Sequence, residues 1–299
     1  MSPITDVSNA LPFLKWVGGK RWLAARHSWL LPRSYGRYFE PFLGGGAILF
    51  HLQPNRAFLS DANNDLICVY KAVKNDWYRI VRLLKRHQAE HSEEYYYSIR
   101  ETRCSDPVKE AARFIYLNRA CFNGIYRVNR QGQFNVPKGS KEKIVMDDDD
   151  FEAVARVLKK CRLVAQDFER TMTLTSHNDF VFIDPPYTVK HNSNGFIKYN
   201  QKLFGWEDQL RLKLSIQQAA SRGVRVLLTN ANHQSVRDLY KGLGTIHELT
   251  RSSIVSANSE HRRSSSELAI AIGYSVRDKR NDPNLTAKNG RTLAARLSG

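Results

Sequence analysis

Asp184-Pro185-Pro186-Tyr187 follows three apolar residues, Val181-Phe182-Ile183, two of them β-branched. The apolar triplet reads as a short buried strand. Neither proline has a backbone N–H, each fixes φ at about −65°, and each pushes the residue before it away from helix. The chain therefore leaves the strand in a stiff, extended turn that holds a carboxylate, bare carbonyls and an aromatic ring in fixed relation. That set suits the exocyclic amino group of a nucleobase, a weak nucleophile because its lone pair is delocalised into the ring. The Asp184 carboxylate and the Pro185 carbonyl can both accept hydrogen bonds from such an NH2. They would hold it as it pyramidalises and concentrate electron density on nitrogen. Tyr187 can stack on the base, a contact worth ~1–3 kcal/mol. The bland alternative is a strand end with Asp184 capping a helix, and the rest of the chain has to decide.

The elements that would serve this corner begin near the N-terminus. In Lys15-Trp16-Val17-Gly18-Gly19-Lys20, two glycines between an aromatic and a lysine let backbone approach a ligand closely. Lys20 can pair with a carboxylate and Trp16 can pack on it; alone, the segment equally describes a loop with a solvated lysine. Tyr38-Phe39-Glu40-Pro41-Phe42-Leu43-Gly44-Gly45-Gly46-Ala47 reads as a strand, a glycine turn and a helix from Ala47 through Phe50. Ala57 to Asp61 reads as the next strand, ending on an acid where nucleotide-binding sheets hold a ribose diol. The interval from Gly44 to Asp61 is slightly shorter than the usual ~20 residues. Neither the full GxGxxG nor a phosphate-binding P-loop is present, so turn and acid fit a nucleoside without phosphates. S-adenosylmethionine is such a ligand, its carboxylate at the glycine turn and its ribose at Asp61; a plain βαβ crossover is the alternative. Val164 to Phe168 reads as a strand whose Asp167 and Phe168 either hold an adenine amino group and ring or form a helix or loop cap.

The chain has 299 residues, 42% of them hydrophobic, enough for a substantial core. A formal net charge of +17 predicts a polyanionic partner, nucleic acid first and an acidic membrane surface second. No apolar run approaches the ~20 residues of a membrane helix, and the N-terminus does not pattern as a secretory signal. Cys68, Cys104, Cys121 and Cys161 form no CxxC pair and complete no zinc pattern with histidine, so they read as reduced packing thiols, with no metal expected. Pro-Cys, the usual setting of a cytosine C5 nucleophile, is absent.

From about Asn64 to Phe151 the character changes. Helix-like polar segments lead into a run from Tyr116 to Gly139. Asn123-Gly124 is a tight-turn signal, and Arg130-Gln131-Gly132-Gln133 reads as a hairpin tip between Tyr126-Arg127-Val128 and Phe134-Asn135-Val136. Basic, aromatic and amide side chains interleave here, Arg119, Phe122, Arg127 and Asn135 among them, the toolkit for phosphate contacts, base-edge bonds and wedging. Asp147 to Asp150 lead into a helix from Phe151 to about Lys160, where negative charge complements the dipole. Thr188 to Phe204 reads as a polar loop that orders on substrate. Glu207 to Arg222 reads as a helix closed by Gly223, Val224 to Thr229 and Glu267 to Tyr274 as strands, Arg251 to Ser266 as a phosphate-contacting loop, and the end from Val276 as a solvated tail.

With these residues assembled, the chain resembles a DNA adenine-N6 methyltransferase of the Dam family. The resemblance rests on four motifs in family order: Lys15 to Lys20, Glu40 to Gly46, Leu117 to Pro137, and Asp184 to Tyr187. It implies an α/β fold, a Rossmann-like class I methyltransferase core interrupted by a mainly helical target-recognition domain carrying a β-hairpin. The expected division is a discontinuous core, 1–63 and 152–277, a recognition domain, 64–151, and a polar tail, 278–299. Trp16, Lys20, Asp61 and Asp184 would contact S-adenosylmethionine, with Gly44, Gly45 and Gly46 and the flanking Glu40 and Phe42. Asp184, Pro185, Pro186 and Tyr187 would form the catalytic motif. Lys15, Phe122, Asn123, Ile125, Arg127 and Pro137 fall where such enzymes touch DNA, Arg127 as guanine reader in GATC. Tyr126 and Ala120-Cys121 depart from the enterobacterial pattern. The resemblance further implies double-stranded DNA as partner and a monomeric cytoplasmic enzyme associated with the nucleoid. Two rivals share these features: the same core acting on cytosine N4 or an RNA base, and a DNA-binding regulator without catalysis, against which the intact motifs argue.

Overall fold

The structure, a computed structural model, describes residues 10–129, 131–189, 204–251 and 265–278. The interior of the expected substrate-ordered loop, most of the Arg251–Ser266 loop, Arg130 at the hairpin tip and the tail beyond Asp278 lie outside those residues. In chain order the elements are α1 (Arg21–Arg26), β1 (Tyr38–Glu40), α2 (Ala47–Leu52), β2 (Ala57–Asp61), α3 (Asn64–Ala89), α4 (Glu93–Glu101), α5 (Pro107–Ala120), α6 (Phe151–Lys159), β3 (Cys161–Ala165), α7 (Phe168–Thr173), β4 (Phe180–Ile183), α8 (Trp206–Ser221), β5 (Arg225–Ala231), α9 (Gln234–Tyr240), β6 (Thr245–Arg251) and β7 (Ser265–Ile272).

Among the described residues the strands form one sheet of order β3-β2-β1-β4-β5-β7-β6. The pairs β2/β3, β1/β4 and β4/β5 are parallel; β7 runs antiparallel to both β5 and β6. All four residues of β4 are buried, as expected of an apolar run between two parallel neighbours. Each fully buried large side chain there contributes roughly 1.5–3 kcal/mol. The register of β4 is pinned just ahead of the strand. Asp179 accepts the Arg37 backbone N–H at 3.0 Å and its guanidinium at 2.6 Å.

The chain divides into two compact units, one comprising residues up to Ala24 and Leu43–Ala165, the other Ala25–Phe42 and residues from Gln166 onward. The whole segment 64–151 lies in the first. Its helices start where sequence chemistry says they should. Asn63 accepts from Leu66 N–H to open α3, and Asp106 accepts from Val108 and Lys109 to open α5, with Pro107 in its first turn. Asp150, last of the four acids, accepts from Ala153 and opens α6.

Two expectations need correction. The strand expected over Val164–Phe168 ends at Ala165, because Asp167 caps α7 by accepting from Glu169 N–H and Phe168 is already helical. Between the two C-terminal strands that were expected there is also a third, β6, which pairs with β7 from Thr245↔Ala271 to Arg251↔Ser265.

Candidate active site and recognition surface

In the second unit, Asp184 leaves β4 as the sequence chemistry requires. Ile183 pairs in register with Leu228 of β5, so the next residue meets Thr229. The Thr229 hydroxyl donates to Asp184 Oδ1 at 2.7 Å. Pro185 is buried, and Asp184, Pro186 and Tyr187 are half-buried. Asp184 caps no helix in its described surroundings: residues 184–189 carry neither helix nor strand. The Tyr187 hydroxyl donates to Glu267 Oε2 at 2.6 Å. Burial first, then the Asp184 and Glu267 carboxylates, push its pKa well above the ordinary phenol value, so Tyr187 is a neutral donor at any working pH. Glu40, closing β1, is buried and accepts from the Tyr38 hydroxyl at 2.8 Å. Phe42 stacks on Phe168 with ring centroids 5.4 Å apart. Arg211 covers Phe168 at 5.0 Å and donates to Asp167 at 3.0 Å. Asp167 and Phe168 are thus both a helix start and a fixed carboxylate–ring pair.

In the first unit the glycine turn and Trp16 are built against each other. Gly44 and Gly46 have φ of +47° and +64°. A Cβ on Gly44 would stand 2.8 Å from the Trp16 indole, and one on Gly46 3.0 Å from the Tyr70 hydroxyl. That hydroxyl donates to the Gly44 carbonyl at 3.0 Å. Asp61 accepts Gly44 N–H at 3.1 Å and Asn63 N–H at 2.9 Å, so the Gly44 amide already serves the chain's own acid. Burial pushes the Asp61 pKa up, and the two amide bonds oppose it. Lys20, which the sequence alone allowed as a solvated lysine, is 3% exposed and donates to the Gly18 carbonyl at 2.7 Å. Trp16 further stacks on Tyr126, at 5.9 Å between centroids.

The segment from Leu117 to Pro137, the candidate recognition block, belongs to the same unit. Buried Asn118, which the sequence reading did not single out, accepts Lys15 N–H and donates to the Lys15 carbonyl, both at 2.8 Å. This clamps the first motif onto α5. Lys15 Nζ donates to the Arg119 carbonyl at 2.8 Å. Burial, then the neighbouring Lys141 ammonium, lowers its pKa to about 8. Phe122 is 54% exposed, and its N–H donates to the Pro137 carbonyl at 2.9 Å. Asn123 takes φ +54° as the tight-turn reading requires, and Ile125 N–H closes back on Phe122. The hairpin is present: Val128 bridges Phe134, and Asn129 N–H donates to the Gln133 carbonyl at 2.8 Å. Arg127 Nε donates to Asn135 Oδ1 at 2.9 Å, so Asn135 orients the arginine. Arg119 is placed differently from expectation. It is 2% exposed, its guanidinium meets both Asp149 oxygens at 2.6 and 2.7 Å, and it also donates to the Phe13 and Ile144 carbonyls. Committed in this way, it cannot reach a phosphate. One signal pointed there: Arg119 ends an apolar helix, and an acid run follows downstream.

A sheet of this order, with one antiparallel strand inserted beside the last parallel one and a glycine turn after its first strand, defines the class: a Rossmann-like methyltransferase core. Residues 16–254 match the family model described as D12 class N6 adenine-specific DNA methyltransferase. The chain is 36% identical over 272 residues to the Type II methyltransferase M1.LlaDCHI of Lactococcus lactis subsp. cremoris, covering 88% of this chain and 95% of that protein. It is 32% identical over 286 residues to the Type II methyltransferase M.MjaIII of Methanocaldococcus jannaschii, covering 88% and 99%. It is 32% identical over 234 residues to the DNA adenine methylase of Serratia marcescens, covering 77% and 86%. The chain belongs to the D12 class of N6 adenine-specific DNA methyltransferases, and is an adenine-specific DNA methyltransferase with DNA as its substrate. Among the described residues no helix is long and apolar enough to cross a membrane, and no three His, Cys, Asp or Glu side chains are grouped to hold a metal.

Proposed function

We propose that this enzyme transfers the methyl group of S-adenosylmethionine to N6 of an adenine turned out of duplex DNA, in the sequence GATC. The observation that carries the reading is the stiff corner after β4, where Asp184 is fixed by Thr229 and followed by a buried Pro185. Asp184 and the Pro185 carbonyl accept from the N6 amino group and set its lone pair; Tyr187 stacks on the base. Turning the base out costs a few kcal/mol, and exposed Phe122 fills the stack it leaves.

The first unit's Trp16, Lys20, Gly44–Gly46 and Asp61 fit the donor's amino-acid and ribose parts. Glycine at 44 is what lets the turn close against the Trp16 indole, and Asp61 is held by backbone amides with lone pairs remaining for a diol. In the second unit, Glu40, Phe42, Asp167 and Phe168 have the chemistry for a nucleoside, Asp167 and Phe168 suiting an adenine edge and face. When bound, the donor supplies an electrophilic sulfonium methyl whose positive charge is lost on transfer, so the protein's tools are proximity and orientation. Residues 64–151 are the recognition segment within a core of 1–63 and 152–277. Arg127, oriented by Asn135, reads guanine, and Lys15, Asn123, Ile125 and Pro137 complete the DNA surface. The reading extends to a monomer acting on nucleoid DNA in the cytoplasm.

The test is transfer from tritiated donor to a methyl-free GATC duplex and to duplexes altered at one base, followed by nucleoside chromatography. We expect label in N6-methyladenine, concentrated in the GATC duplex. Equal labelling of altered duplexes would remove the site assignment, and label in N4-methylcytosine would remove the base. Gly44→Ala is expected to weaken donor binding roughly a hundredfold, from a left-handed φ and contact with a rigid ring; titration calorimetry with sinefungin reads it.

A further inference from the structure

The two side chains that the corner presents each have a partner in the sheet, one on β5 beside β4 and one on β7 beyond it. Thr229 of β5 is fully buried, and its hydroxyl donates to Asp184 Oδ1 at 2.7 Å. Glu267 of β7, 7% exposed, accepts the Tyr187 hydroxyl at 2.6 Å. The sheet places both partners. Thr229 pairs with Ala269, and Ala231 with Glu267, across an antiparallel ladder. Residues two apart on a strand share a face, so Thr229 and Glu267 stand on one side of the sheet. Packing alone does not require either residue. A fully buried threonine could be valine, of similar shape, but for its hydroxyl, which must find an acceptor. A nearly buried carboxylate is costly unless it has a donor.

We propose that Thr229 and Glu267 are positioning residues of the transfer reaction, Thr229 fixing the plane of the Asp184 carboxylate and Glu267 fixing the Tyr187 ring and enriching its face. The inference rests on the roles given above to Asp184 and Tyr187. A carboxylate rotates freely about its Cβ–Cγ bond, and only one plane lets an oxygen meet the N6 lone-pair geometry. A charge-assisted bond to one oxygen removes that freedom. The phenol bond does two things. It stops the ring from swinging out of the stack. It also draws the phenol proton toward a carboxylate, which makes the ring more electron-rich. The target nitrogen gathers positive charge as it is alkylated, and an electron-rich face attracts positive charge. Glu267 therefore acts on the rate of transfer more than on binding.

Single-turnover transfer to a GATC duplex, with donor and DNA affinities measured on the same preparations, tests this. Thr229→Val is expected to slow transfer about tenfold, with both affinities within about twofold of wild type, and Thr229→Ser to restore most of the rate. Glu267→Gln is expected to slow transfer about threefold. In a Tyr187→Phe background the same change adds nothing, because the hydroxyl it acts through is gone. Wild-type rates in Thr229→Val, a serine variant no better than valine, or additive losses in the Glu267/Tyr187 cycle would overturn the proposal. Asp184→Ala run alongside separates the two layers. If it keeps the wild-type rate, the reading of the corner falls. If it collapses while Thr229→Val and Glu267→Gln do not, only the positioning roles fall. Should Thr229→Val not fold, Thr229→Ser and the Glu267/Tyr187 cycle still decide.

Discussion

Asp184 and Arg127, to which we assign the two chemical tasks of this enzyme, are held in opposite ways. Asp184 extends a strand that is fully buried and flanked by parallel neighbours, and its oxygen is tied by a hydroxyl from the next strand. Arg127 sits on a hairpin joined by an isolated bridge, is exposed, and is tied by one side-chain amide, Asn135. Below the hairpin the support is side-chain chemistry: the Lys15–Asn118 clamp, the Arg119–Asp149 pair, and Arg103 donating to the Gly132 carbonyl at 2.8 Å. A reacting group must be fixed to a few tenths of an ångström, and a central sheet provides that. A reader must follow a groove, and a hairpin on side-chain ties can re-aim without disturbing the chemistry.

Breaking the side-chain ties should hurt the segment we assign to recognition most. Arg119→Ala removes both guanidinium bonds from the half-buried Asp149, leaving it the Met146 N–H, and strips the Phe13 and Ile144 carbonyls of their donor. It is expected to cost ~3 kcal/mol of stability, read as a lower urea midpoint. An unchanged midpoint with altered DNA specificity would instead make Arg119 a reader and erase the contrast. Arg127→Ala touches only the reader. It should relax discrimination at one base by ~1–3 kcal/mol while stability and donor affinity hold. Selectivity unchanged at every base would assign the reading elsewhere. The smallest effect belongs to Lys15, whose pKa is lowered from 10.5 to about 8. The charged form is lost as pH rises through that value, where an ordinary lysine keeps its charge to about 10. DNA affinity should therefore fall between roughly pH 7 and 9 in the wild type, and the slope should flatten in Lys15→Arg. Identical slopes in both would take Lys15 out of the phosphate contacts.

Much of the second half of this contrast was legible in the sequence. Ala57–Asp61 was expected as a strand and is one, residue for residue, because an apolar β-rich run closed by an acid leaves little alternative. The hairpin followed from its turn residues. What stayed hidden was long-range. Asn118, Thr229 and Glu267 look like ordinary polar residues in helix or strand, and only register and burial reveal what they hold. Strand β6 was missed because its residues mix Thr, His and Glu with two aliphatics, and its identity depends on pairing with β7 rather than on its own pattern. Arg119 misled because composition counts a charge without saying where it points.

The most direct test of the division of labour is Asp184→Ala, assayed for single-turnover methyl transfer and for affinity toward GATC and altered duplexes. Transfer is expected to collapse while affinity and base preference stay within a few-fold of wild type. Transfer near the wild-type rate, or loss of affinity and selectivity in step with the rate, would contradict it.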